Sequence, residues 1–65
     1  MTPADFRSTL QRLGLSQTGA SRILGVADRT IRSWLTGERS VPEPVAKLMR
    51  LMASGAVSKE VVEAA

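Results

Sequence analysis

Apolar residues recur along this chain in short bursts at helical spacing, and most bursts are framed by a capping residue before and a glycine after. Phe6, Leu10 and Leu13 fall at i, i+4 and i+7, one stripe of a helix. Thr2-Pro3-Ala4-Asp5 ahead of them reads as its start: a hydroxyl cap, a proline where no N–H is needed, and a carboxylate in the first turn. Gly14 supplies the stop. Ser16 caps a second, short helix with Ala20, Ile23 and Leu24 inward, ended by Gly25. A third is predicted from about Asp28 to Thr36, with Ile31, Trp34 and Leu35 inward and Gly37 as terminator. After a loop over 38–41, Pro42 and Pro44 fit only the first turn of a fourth helix, at about 42–54. Val45, Leu48, Met49 and Met52 form its stripe, and Gly55 closes it. Ser58 caps a tail helix over about 58–64, with Val57 and Val62 spaced as a hydrophobic staple. No strand pattern competes, so the expected fold is all-α, a compact bundle of four to five short helices.

Composition narrows the function classes. Sixty-five residues make one domain, 1–65, with a small core and marginal stability. Histidine, cysteine and tyrosine are all absent. That excludes a disulfide, the usual zinc ligand sets and the Ser-His-Asp or Cys-His nucleophiles. No enzyme, metal or cofactor is therefore expected; a general base would have to be a carboxylate or lysine, and neither has an evident partner. Hydrophobic content of 43% beside 23% charged is that of a globular domain. Apolar runs reach only two or three residues and no signal-like segment opens the chain, so a soluble, cytoplasmic protein is expected.

Charge sharpens the picture by its placement. The net +3 lies wholly in residues 1–40, where Arg7, Arg12, Arg22, Arg29, Arg32 and Arg39 face Asp5, Asp28 and Glu38. Residues 41–65 balance to zero. Within the basic part, residues 17–36 form two short helices joined by Gly25-Val26-Ala27, the pattern of a helix-turn-helix. Small groups suit the place where such helices cross, and Ala20 and Ser21 supply them. At about 100° per residue, Arg29, Arg32, Ser33 and Thr36 cluster opposite the apolar stripe of the second of these helices. Two arginines and two hydroxyls on one exposed face suit the major groove of DNA, where arginine bridges guanine O6 and N7.

The run LGLSQTGASRILGVADRTIRSWLTGERSVPEPVAKLM resembles the phage-repressor/Cro-type helix-turn-helix domains, the XRE family, over roughly residues 3–53. Ser16-Gln17, Gly25-Val26, Thr30-Ile31, Trp34 and Gly37 carry the resemblance by their spacing. It implies a lambda-repressor-like fold, double-stranded operator DNA as partner, a homodimer at least on DNA, and action as a bacterial or phage transcriptional repressor. By resemblance, Asp28, Arg29, Arg32 and Ser33 would face base edges. Gln17, Arg22, Thr36 and Arg39 would meet phosphates. Two positions depart from the family pattern: Ala27 stands where a capping Ser or Thr is common, and Ala20 where a larger hydrophobe is.

Several residues admit a plainer reading. Trp34 is either core or a base-stacking platform, and its phase with Ile31 favours core. Asp28 serves either the helix N-terminus or a cytosine amine. Gly19 reflects either close approach of a DNA backbone or tolerance in a first turn. The valines at 57, 61 and 62 either cover the core or meet a second subunit. The rival function is a protein-interaction module, such as an antitoxin or adaptor, seating a partner protein.

Overall fold

Helices are the only regular elements in the computed structural model, which describes all 65 residues. They are α1 (Pro3–Leu13), α2 (Gln17–Leu24), α3 (Asp28–Thr36), α4 (Glu43–Ala53) and α5 (Lys59–Ala64). The all-α expectation is met. α4 is a residue shorter at each end than expected, because Pro42 and Ser54 occupy its cap positions, and Ser58 caps α5 from outside it.

Local chemistry accounts for the helix starts. The Thr2 hydroxyl accepts from the Asp5 N–H at 3.1 Å while the Asp5 carboxylate accepts from the Thr2 N–H at 3.3 Å, a reciprocal capping box. This donation by the Thr2 N–H, helped by the Thr2 hydroxyl, holds the Asp5 carboxyl below the ordinary carboxylate range. Ser16 and Ser58 cap α2 and α5 by accepting from Gly19 and Val61. At α3 no side chain caps the helix, since Ala27 holds that position.

The amphipathic helices close around one cluster of nine buried apolar side chains. Phe6 and Leu10 come from α1, Ala20 from α2, Ile31 and Trp34 from α3, and Ala46, Met49 and Met52 from α4. The rings of Phe6 and Trp34 meet edge to face at 5.6 Å and 89°, the geometry their quadrupoles prefer. At 4% exposure Trp34 is core, which settles its two readings. Helix α1 packs on α3 and α4, and α2 packs on α3 and α5. The ninth core residue, Val41, comes from the segment expected as loop, and Ala46 lay outside the expected stripe of α4. Leu13, Ile23, Leu24, Leu35, Val45 and Leu48, expected inward, are half-buried at the core margin.

Two long-range contacts anchor the ends of the chain. The Lys59 ammonium donates to the Leu13 carbonyl at 2.9 Å, placing a cation on the negative end of α1 and holding α5 in place. At the other end Pro3 lies against the terminator of α3. A Cβ on Gly37 would sit 3.3 Å from Pro3 Cγ, and the φ of +85° at this glycine already disfavours any side chain. No helix is long and apolar enough to cross a membrane.

Candidate functional site

The orientation of α3 is set by hydrogen bonds at both ends. At its start the chain reverses through Gly25, whose φ of +69° is the left-handed conformation the turn requires. Ser21 grips this turn twice. Its carbonyl accepts from Gly25 and Val26 N–H groups at 2.9 and 3.2 Å, and its hydroxyl donates to the Val26 carbonyl. Gln17, the first residue of α2, donates from Nε2 to the Asp28 carbonyl at 3.3 Å and so ties the two helix starts together. Ala20, fully buried, keeps the side-chain volume between the two helices small.

At the far end three donors converge on one carbonyl. Ser33 O accepts from the Gly37 N–H at 3.1 Å, the Arg39 N–H at 3.2 Å and the Thr36 hydroxyl at 3.3 Å. This folds residues 37–39 back over the last turn of α3. Helix and turn together enclose an open concavity of about 460 Å³, lined by Arg29, Thr30, Arg32, Ser33, Thr36, Glu38 and Arg39. Its size would suit a small ligand, but its chemistry does not: small-molecule sites are predominantly apolar, and here no lining side chain is apolar.

Of the eight residues expected to contact DNA, the concavity gathers Arg29, Arg32, Ser33, Thr36 and Arg39. The other three, Gln17, Arg22 and Asp28, lie outside it. Arg22 is exposed in the last turn of α2, and Asp28 is exposed in the first turn of α3. Gln17 is half-buried, with one amide hydrogen already given to α3.

Ser33 departs from its expected exposure. It was expected on the exposed face, but it is 8% exposed and its hydroxyl donates to the Thr30 carbonyl at 2.9 Å. A helical wheel places it opposite the core, yet the returning 37–39 turn shades it. It lines the concavity as its one buried residue. Thr36 is exposed but its hydroxyl proton is likewise spent within the chain, on Ser33 O.

Thr30 and Glu38 also line the concavity, beyond the residues expected there. A signal for Thr30 was present: Thr30, Ser33 and Thr36 recur every three residues, one side of a helix. Glu38 follows the terminating glycine and carries no periodic signal. Gly19 also finds an internal reason for its size. A Cβ there would come within 3.3 Å of Ser16 Oγ, the atom that caps α2.

Electrostatically the concavity is net cationic, with three arginines and one carboxylate, Glu38, and no salt bridge among them. Arg29, Arg32 and Arg39 are all exposed, and the one salt bridge in the molecule joins Arg50 to Glu43 at 3.3 Å, on α4. Three guanidinium forks are thus free to donate in paired fashion to phosphate oxygens or to guanine edges. No family model, no curated protein and no solved structure matches this chain.

Proposed function

We propose that this protein binds double-stranded DNA sequence-specifically, with α2 and α3 acting as a helix-turn-helix of the phage-repressor/Cro type and α3 entering the major groove. The observation that carries this reading is the concavity: three exposed arginines without a salt-bridge partner, on one helix and the turn that follows it, with no hydrophobic residue in the lining. A B-DNA major groove is about 12 Å wide and accepts one helix. The short, rigidly held α3 suits it. In this reading Arg29 and Arg32 read base edges while Arg39 and Arg22 hold phosphates. Gln17 contributes its remaining amide hydrogen at the start of α2. The chain then acts by occupancy, as a repressor in the cytoplasm of a bacterial or phage-infected cell, with no cofactor.

The test is a salt titration of binding to random duplex and to duplex selected from a random library. The expected result is log K falling steeply with log salt, with a preference for one sequence that survives at high salt. Absence of binding at low salt, or a flat salt dependence, overturns the reading. A protein-interaction role finds its own support in Val61, which is 62% exposed on α5. Binding of a partner protein that persists when Arg29 and Arg32 are replaced would identify that role as separate.

A further inference from the structure

One carboxylate stands among the cations of the concavity. Glu38 lines the same depression as Arg29, Arg32 and Arg39 and forms a salt bridge with none of them. Its position is locally unfavourable. It follows directly on the C-terminal end of α3, where the helix dipole favours a cation. Nor does it cap a helix, as Asp5 does.

It is nonetheless held in place. Gly37 on one side and Arg39 on the other both donate their N–H groups to Ser33 O, and the N–H of Glu38 itself reaches the Thr36 hydroxyl at 3.4 Å. Glu38 is therefore presented on the concavity from a hydrogen-bonded turn. Asp28 offers a contrast: it sits on the positive end of α3, outside the concavity, where the helix dipole favours a carboxylate.

For a surface that only had to hold a polyanion, Glu38 is a cost. For one that must refuse most duplexes the same charge is useful, because a carboxylate left without a donor penalises the wrong partner. In the major groove the donor that suits a carboxylate is the N4 amine of cytosine. We propose that Glu38 is a specificity-determining residue of this concavity, accepting from one cytosine amine in the bound groove and disfavouring duplexes that lack it. The inference rests on the DNA-binding reading above and deepens it.

The test uses the full chain as wild type, Glu38→Gln and Glu38→Asp, each titrated against random duplex and each used to select from a random library. Glu38 is exposed, and helical content by circular dichroism should match across the three. Removing one negative charge near the phosphates should tighten random-duplex binding by Glu38→Gln roughly three- to tenfold. Its selected sequences should lose a cytosine preference at one position. Glu38→Asp keeps the charge and should keep weak random binding. If Glu38→Gln binds random duplex as weakly as wild type, or selects the same sequences, the inference is overturned while DNA binding stands. If wild type binds no duplex at low salt, the DNA reading falls and this inference falls with it.

Discussion

Arg29, Arg32 and Arg39 share one concavity but differ in what holds them. The first two stand three residues apart on α3, while Arg39 stands on the turn, with its N–H bound to Ser33 O. In the proposed mode this separates base reading from backbone holding. Arg29→Ala or Arg32→Ala should each cost about 1–3 kcal/mol of binding to the selected duplex and relax preference at one position. Arg39→Ala should instead weaken all sequences alike and lower the salt slope by about one. Titrations against the selected duplex and its single-base variants check both. A specificity change in Arg39→Ala would reverse the division of labour. Ser33 belongs to neither group. Its hydroxyl bonds back to Thr30, so its loss should leave base preference unchanged.

Helix ends are where this chain spends its polar residues, and two of them make opposite predictions. α3 starts at Ala27 with no side-chain cap, and the Thr30 N–H, which such a cap would bind, donates instead to the Ala27 carbonyl at 2.9 Å. Ala27→Ser should stabilise the fold by about 1 kcal/mol, which in a domain of this size raises Tm by roughly 4–8 °C in thermal unfolding. An unchanged Tm would mean that the turn geometry cannot admit the cap. At α1 the capping box is already complete, and its contribution depends on pH. The Asp5 carboxyl is held below its ordinary value by donation from the Thr2 N–H and then the Thr2 hydroxyl. A group depressed in the folded state stabilises above its unfolded value, about 3.9. That contribution is lost as pH falls through the lower folded value. Asp5→Asn should therefore be less stable than wild type at neutral pH, with the gap closing on acidification below about pH 4. A gap in Tm that stays constant down to pH 2 would remove the carboxylate from the account. These ends were also what made the fold legible. Thr2, Ser16 and Ser58 before three helices, Gly14, Gly25 and Gly37 after three, and Pro42 and Pro44 at the start of α4 placed every helix within a residue or so. What periodicity could not show was burial caused by other segments. Val41 enters the core from outside any helix, and Ala46 is too small to mark a stripe although it is fully buried. Ser33 and Lys59 depend on contacts with the returning turn and with α1, which no local pattern encodes.

At the scale of the molecule, size decides what one copy can do. A radius of gyration of 10.5 Å agrees with about 10.7 Å expected for a compact body of 65 residues, and the extents are 28 × 20 × 20 Å. One DNA-binding module of this kind buries roughly 600–1,000 Å². Of the 4123 Å² this chain exposes, that is at most about a quarter. A single copy is then expected to bind weakly, and the proposed mode requires two. Recognition helices of a two-fold pair on one face of the duplex lie about 34 Å apart, one helical turn. Bodies 20–28 Å across fit side by side at that spacing without overlap. The selected sites should accordingly be paired half-sites about 10 base pairs apart, bound cooperatively. Inserting about 5 base pairs turns the second half-site to the opposite face of the duplex. Cooperativity in a gel-shift titration should vanish while each half-site keeps its own affinity. Cooperativity that survives the half-turn insertion would mean that the copies meet through a flexible tether and not through adjacent surfaces. A selected site with no internal symmetry would mean that this chain reads DNA as a monomer, leaving the apolar Val61 on α5 to some other contact.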